Sequence, residues 1–408
     1  MQKGDTEEMP EKDRMNSQTK KILIITSVWG FLAKFGQEDI KVLHDLGYEV
    51  HYASNKSNPI YHFPDTVYEE MKVYFHNIDI WQSPFGLTHN LRAIKQIRKL
   101  IKEEGISVLH CHTPSGGLVT RLAGIGLPVR VIYTVHGFHF YKGAGRLHNL
   151  IYHSIEGVLS CLTDVIVTVN QEDCEAAEKM CQREGAFRIP GVGLNRDYFH
   201  ETSFQERKAA RKTLGVEDRY FILSVGELRE NKNPEVIIRA IARMKDKERA
   251  ADSFRYGLLG AGKQEEELKK LAEELGISNQ VIFYGYHEDV RPYLQAADVL
   301  AFPTIREGLG MAALEAMAMG VPVLAADNRG TREFMKDGEN GYICRRNDPD
   351  EYAGLLLKMY REQEDWCLNV GKRARIRRST EPFDKKYTAE IMRKIYEKTK
   401  DKRTIVCL

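Results

Sequence analysis

Short apolar runs alternate with helical patterns along this chain, and they do so in two series. The first opens with KKILIITS at residues 20–27, then a helix over about 36–46 that Gly47 ends, then the strand EVHYAS at 49–54. That is a β-α-β unit at ordinary spacing. A basic amphipathic helix over about 91–104 leads to SVLHCH at 107–112, and a glycine-rich helix start at 114–117 precedes RVIYTVH at 130–136 and DVIVTVN at 164–170. The chain then reads IPGVGLN at 189–195, and a polar stretch up to Asp218 is expected to link two domains. The second series holds RYFILSVGEL at 219–228, RYGLLGAG at 255–262, a charged helix up to Leu275, QVIFYGY at 280–286 and ADVLAFP at 297–303. Strands alternating with helices build parallel sheets covered on both faces. The expected fold class is therefore α/β, with two Rossmann-like doubly wound domains facing across a cleft. Such sheets bind ligands at the C-terminal ends of their strands.

Composition agrees with this and excludes other classes. A chain of 408 residues holds two or three domains, and 42% hydrophobic residues suffice for their cores. A net charge of +2 gives no case for a nucleic-acid partner. The seven cysteines show no metal-ligand spacing, so they read as reduced thiols of a cytoplasmic protein. Cys174 and Cys181 sit two helical turns apart and are expected as core thiols on one helix face. No apolar run reaches the ~20 residues of a membrane span. Residues 1–19 lack a signal-peptide core and read as a disordered leader. The IVCL end carries Cys407 too near the terminus for a prenylation box.

The segment TIREGLGMAALEAMAMGVPVLAAD, residues 304–327, carries the most chemistry. Gly308, Leu309 and Gly310 precede a strong helix-forming run, which Gly320 and Pro322 stop. A helix start behind glycines offers free N–H groups and a positive dipole end to a phosphate. Glu307 lies before that helix and Glu315 within it, with seven residues between them. Carboxylates beside a phosphate seat suit hydroxyls, such as a ribose diol or a sugar ring; hydrogen bonds to a charged acceptor are worth roughly 1.5–3 kcal/mol each. A surface-loop glutamate followed by a helix glutamate reads the same in isolation. Upstream, GELRENKN at 226–233 puts Arg229 and Lys232 beside a second helix start, where they can flank a diphosphate and stabilise it as a leaving group.

These segments resemble the retaining nucleotide-sugar glycosyltransferases of glycosyltransferase family four, with their E-x(7)-E signature and GT-B fold. The resemblance runs from Lys20 to about Lys398. In the family the turn at 226 usually reads Gly-Arg-Leu four residues before a lysine. Lys232 matches that lysine, but Glu227 occupies the arginine position, and whether Arg229 replaces it stays open. TVHGFHFYKG resembles the family's Thr-x-His-Gly, which implies that His136 lines the cleft near the anomeric carbon, able to donate to a hydroxyl or carry a proton. The resemblance also implies a base seat against the backbone of Tyr284, Gly285 and Tyr286, with Gly260 at a neighbouring strand end. His139, Tyr141 and Lys142 form a polar-aromatic loop on the acceptor side. The loop SVWGFLAKFG keeps Gly30 where the family has paired glycines, and it too is assigned to the acceptor side.

Two motifs suggest a metal and are set aside. His110 and His112 share one side of a strand, but no third ligand is apparent. Asp348-Pro349-Asp350 opens a helix, so Asp348 reads as an N-cap with Pro at the first helical position. No metal and no cofactor are expected. The resemblance implies a hexosyl- or N-acetylhexosaminyl-transferase using a nucleotide sugar, UDP-linked. Its acceptor would be a glycan or polyprenyl-diphosphate-linked glycan of capsule or exopolysaccharide assembly. The basic 91–104 helix leaves room for peripheral contact with the inner face of the cell membrane. Alternatives on this fold are a sugar-nucleotide epimerase, a phosphorylase, or a non-catalytic nucleotide-sugar-binding partner. The implied domains are 20–198 for the acceptor, 199–380 for the donor, and a last helix within 381–408 that crosses back.

Overall fold

The computed structural model describes residues 20–57, 63–64, 66–83, 86–247 and 253–398. The expected leader at 1–19 and the IVCL end lie outside the described residues. The first domain has strands β1 (Lys20–Ile25), β2 (Tyr48–Ser54), β3 (Val73–Asn77), β4 (Val108–Cys111), β5 (Arg130–Val135), β6 (Val165–Thr168) and β7 (Gly185–Arg188). Its helices are α1 (Phe31–Phe35), α2 (Gln37–Asp45), α3 (Val67–Glu70), α4 (Leu87–Glu104), α5 (Pro114–Ala123), α6 (Arg146–Ser160) and α7 (Gln171–Ala177). All seven strands are parallel, in the order β3-β2-β1-β4-β5-β6-β7.

The second domain begins with α8 (Phe204–Leu214) and holds β8 (Tyr220–Val225), α9 (Pro234–Lys247), β9 (Phe254–Leu259), α10 (Glu265–Glu274), β10 (Val281–Gly285), α11 (Arg291–Ala296) and β11 (Val299–Phe302). It continues through α12 (Met311–Ala318), β12 (Val323–Ala326), β13 (Gly341–Cys344), α13 (Pro349–Arg361) and α14 (Val370–Arg378). Its sheet is also parallel, in the order β10-β9-β8-β11-β12-β13. Strand order reverses beside β1 and β4 in one sheet and beside β8 and β11 in the other. Those switch points put the turns after β4, β8 and β11 at the crevice where such folds bind ligands.

Central strands are apolar throughout because both their faces are covered. In β1, Ile22 and Ile24 join the cluster under α2, whereas Leu23 and Ile25 join Ile97 of α4 and Val119 of α5 on the other face. The two-residue period of a strand makes that division. Helix α15 (Lys385–Glu397) leaves the second domain and packs on the first. The Tyr48 hydroxyl donates to Tyr396 O at 3.3 Å, and Arg130 Nη1 donates to Ile395 O at 3.1 Å.

The structure adds the edge strands β3 and β7 to the expected elements, and it departs from expectation at α8, at Cys181 and at α6. The polar stretch before Asp218 contains α8, opened by a capping box of Ser203 and Glu206. Arg207 and Arg211 of α8 both bond Asp298, so this helix is part of the second domain rather than a linker. Helix α7 ends at Ala177, so Cys174 is buried but Cys181 lies beyond the helix and is exposed. Helix α6 was not anticipated; its Leu147, Leu150, Ile151, Ile155 and Val158 stand exposed. Asp348 does cap α13, accepting from Asp350 N and Glu351 N at 3.0 Å each.

One buried ion pair joins the two domains. Arg329, past β12, donates from Nη1 to Asp173 Oδ1 at 2.7 Å and to Phe140 O at 3.1 Å, and from Nη2 to Phe138 O at 2.5 Å. Burial raises the Asp173 carboxyl and lowers the Arg329 guanidinium, each shift opposing the charged form more than the partner supports it. Removing one partner of such a pair leaves a buried charge uncompensated. Arg329→Ala is therefore expected to cost about 3–5 kcal/mol in denaturant unfolding. Adding Asp173→Asn should recover part of that loss, and an additive double mutant would contradict the coupling.

Candidate active site between the two domains

The turn after β8 and the loop after β11 are sewn together by Asn231. Its backbone O accepts from Ile305 N at 2.8 Å, its Nδ2 donates to Arg306 O at 2.9 Å, and its Oδ1 accepts from Arg306 N at 3.2 Å. Asn233, two residues on, adopts φ 51°, a left-handed step that suits asparagine. The stitching brings Lys232 Nζ to 2.5 Å from Glu307 Oε2. Sequence reading passed over Asn231, since its partners lie 75 residues away.

Gly308, Leu309 and Gly310 lead into α12, with Gly310 at φ 103° as its N-cap. Leu309 is buried. A Cβ on Gly308 would lie 2.0 Å from His136 O, so only glycine lets the two domains touch here. Asn170, the N-cap of α7, donates from Nδ2 to Gly308 O at 2.9 Å. His136 follows β5 directly opposite. Burial between the domains lowers its imidazole to about 4, so it is neutral near pH 7.

Glu315 lies one turn into α12. Its side chain keeps some access to solvent, yet it sits deep between the domains, and desolvation raises its carboxyl to about 7; the charge on Lys34 of α1 pulls the other way. Lys34 is thus a cation of the first domain that faces Glu315, and the sequence offered no signal for it.

The remaining candidates divide. Gly226, Gly260 and Gly285 bring three strand ends into backbone contact. A Cβ on Gly260 would lie 2.0 Å from Gly226 O, and Gly260 N donates to Gly285 O at 2.8 Å. Tyr284 is half-buried with its ring 4.9 Å from that of Tyr293, whereas Tyr286 is exposed. Arg229 is exposed and turned to its neighbour Glu227 at 3.4 Å, away from Lys232's pair with Glu307. Gly30 holds φ 83° at the start of α1, and the Phe31 ring after it lies 5.4 Å from that of His136. On the loop after His136, His139 stacks on Tyr152 at 5.0 Å, the Arg306 guanidinium lies 5.5 Å over the Tyr141 ring, and Lys142 extends an exposed side chain.

No group of three or more His, Cys, Asp or Glu side chains among the described residues could hold a metal. A cavity of about 620 Å³ opens elsewhere, between the chain near Pro190, Phe334, the cations Arg375 and Arg378, and Tyr387 of α15. None of the candidate residues lines it.

The folded Glu315 carboxyl holds its proton up to about pH 7, whereas the unfolded one releases it near 4.5. Stability from this group is therefore complete at acid pH and is lost as pH rises through about 7. Glu315→Gln is expected to raise the melting temperature of the unliganded protein at pH 8 by roughly 2–4 °C, with no gain at pH 4. Equal shifts at both pH values would refute the raised carboxyl.

A family model described as "Glycosyl transferases group 1" matches residues 205–377, and one described as "Glycosyl transferase 4-like" matches 21–170. The chain is 36% identical over 392 residues to the "Putative glycosyltransferase EpsD" of Bacillus subtilis (strain 168), covering 95% of this chain and 98% of that one. It is 23% identical over 339 residues to the Escherichia coli UDP-Gal:alpha-D-GlcNAc-diphosphoundecaprenol alpha-1,3-galactosyltransferase, covering 82% of this chain and 84% of that one. Among solved structures, Anabaena HepE in complex with UDP and glucose superposes with a TM-score of 0.74 at 18% identity, over 93% of this chain and 99% of that one. WaaG, a glycosyltransferase of lipopolysaccharide biosynthesis, gives 0.71 at 16%, over 92% and 99%. With two parallel sheets facing across the cleft, the chain belongs to glycosyltransferase family four and is a glycosyltransferase of the GT-B fold.

Proposed function

We propose that this enzyme transfers a hexosyl or N-acetylhexosaminyl group from a UDP-sugar to a hydroxyl of a glycan on a polyprenyl diphosphate, with retention at the anomeric carbon. The product would serve cell-surface polysaccharide assembly. The observation that carries this reading is the Lys232–Glu307 pair at 2.5 Å, seated at one strand edge with His136 opposite. A diphosphate entering the α12 N-terminus meets Lys232 and the Gly308–Gly310 backbone. Lys232 then exchanges part of its bond to Glu307 for phosphate oxygens, which frees Glu307 to hold the donor sugar. Glu315 takes the ribose hydroxyls, and the base lies against the backbone at Tyr284–Tyr286. His136, neutral, addresses the sugar or the acceptor.

The reading has no side-chain nucleophile. The anomeric carbon–oxygen bond to phosphate breaks as the acceptor oxygen bonds the same face, and the acceptor proton passes to the departing phosphate oxygen. Lys232 and the helix N-terminus stabilise the charge developing there. Support for UDP comes from HepE, which was solved with UDP, and from the donor in the name of the E. coli relative.

Lys232→Ala and Glu307→Gln are each expected to lower turnover by at least about a hundredfold with the fold intact. A melting-temperature screen with UDP-, GDP- and ADP-sugars first identifies the donor, since ligands stabilise the state they bind. Release of UDP only when acceptor is present fits the proposal. Release of sugar 1-phosphate would favour a phosphorylase, interconversion of the donor an epimerase, and binding without any turnover a non-catalytic partner. Full activity in either variant would remove the role given to that residue.

A lipid-linked acceptor finds support in α6. Its exposed Leu147, Leu150, Ile151, Ile155 and Val158 form one stripe at helical spacing, on the sheet face that also carries basic α4, with α5 between the two helices. Large exposed apolar stripes on a monomer mark interaction surfaces, and apolar residues beside lysine and arginine suit an anionic bilayer surface. No helix among the described residues is long and apolar enough to cross a membrane. Leu147→Glu with Leu150→Glu should reduce co-sedimentation with phosphatidylglycerol vesicles and leave turnover on a short soluble acceptor unchanged. Unaltered sedimentation would exclude α6 as the contact.

A further inference from the structure

A second imidazole lies against His136 and has no part in the roles above. His112 follows β4, and its Nδ1 is 3.1 Å from His136 Nε2, with the rings stacked at 23° and 5.4 Å between centroids. The Phe31 ring closes over both, 5.3 Å from His112 and 5.4 Å from His136. Behind His112 stands His110, with centroids 4.3 Å apart. His110 is fixed at both nitrogens. Its Nδ1 faces the Tyr396 hydroxyl at 2.9 Å, and its Nε2 faces Thr134 Oγ1 at 2.8 Å. Tyr396 belongs to α15, so the helix that crosses from the second domain braces this row of rings. His112 is buried at 6% exposure and is held between a pinned imidazole and a phenyl ring.

The row leaves His136 little choice. Its Nε2 is engaged by His112, so Nδ1 is the atom left for a ligand. His136 is only half-buried, and among the described residues no hydrogen bond engages its Nδ1. The 3.1 Å distance accommodates a proton on either nitrogen. If His112 donates, His136 carries its own proton on Nδ1 and offers an N–H to the cleft. If His136 donates, its Nδ1 is a bare acceptor. A sugar hydroxyl or an oxygen gaining charge is best met by the first form.

We propose that His112 is a positioning residue: its Nδ1–H donates to His136 Nε2, holding His136 as the Nδ1–H tautomer with that N–H directed at the bound sugar. This rests on the reading of His136 as a sugar-facing group. His112 itself touches neither donor nor acceptor. It acts through His136, as outer partners orient ligating histidines by fixing the tautomer.

The test uses histidine-selective 15N labelling of the full chain, where long-range N–H correlations distinguish the two tautomers. His136→Gln identifies the His136 signals. The expected result is the Nδ1–H pattern for His136 in the wild-type protein, lost in His112→Phe. Turnover of His112→Phe should fall roughly ten- to hundredfold, with donor KM within about twofold, as misorientation of a reacting group does. His112→Asn should restore most of the rate, because its amide nitrogen can stand where Nδ1 stood. A packing role gives the reverse ranking, since Phe fills the space better than Asn. That ranking, or an Nε2–H pattern for His136 in the wild type, overturns the proposal. Should His112→Phe fold poorly by thermal melting, the wild-type tautomer and His112→Asn still decide. If His136→Ala keeps full turnover, the role given to His136 fails, whereas the tautomer measurement on unliganded protein stands apart from it.

Discussion

The contact on which the cleft depends is Arg329 reaching from the second domain into the first. Its guanidinium spends its donors on Asp173 and on the carbonyls of Phe138 and Phe140, while its Nε is buried without a partner. Burial disfavours the charge on both members of the pair, so the contact is poorly explained as a source of stability. What it does is locate. The carbonyls it holds begin two residues after His136, and Asp173 belongs to the same α7 start whose Asn170 grips Gly308 O. One arginine therefore fixes the strand end carrying His136 against the loop carrying Glu307. Glycine at 308 makes the approach possible, because any side chain there would meet the His136 carbonyl.

Closing the domains this tightly dries the cleft, and the charges inside respond. Glu315 is pushed to about 7 and His136 is drawn to about 4, both by loss of water. Near neutral pH the unliganded cleft is therefore poor in net charge: Lys232 is matched by Glu307, and the imidazoles are neutral. Under the proposed function, this is the resting state a diphosphate would meet, with Lys232 held in place by Glu307, a partner that phosphate oxygens would displace.

Much of this was legible in the sequence, and the failures have physical causes. Central strands such as β5, with all six residues buried, read as unbroken apolar runs. The edge strands β3 and β7 do not, because they bury only part of one face, and VYFHN and GAFR resemble loops. Helix α6 has a clear apolar period, but the stripe points outward, so it belongs to no core that neighbouring strands would imply. Helix α8 is dominated by lysine and arginine and is tied down by Asp298, far along the chain. Within the site, residues paired through local motifs, Glu307 with Gly310 or Lys232 with its turn, stand out in sequence. Those defined by long-range partners do not. Arg329 sits in an unremarkable NRGTREF, and nothing local to His112, set aside as a metal ligand, points to its neighbour across the strands, His136.

The chain's own crossings tie the two domains together through backbone as well as side chains. The chain passes between them twice, at 190–194 and at 380–385, and the passes are bonded to each other. Leu194 N donates to Phe383 O at 2.8 Å, and Lys385 N donates to Leu194 O at 3.0 Å. Gly193 permits the contact, since a Cβ there would lie 2.6 Å from Lys385 Cα. Beyond the tie, α15 continues under the first sheet until Tyr396 meets His110. The paired crossings and the row of imidazoles are thus joined by one helix, so the backbone tie between the domains and the wall that holds His136 are parts of one continuous element.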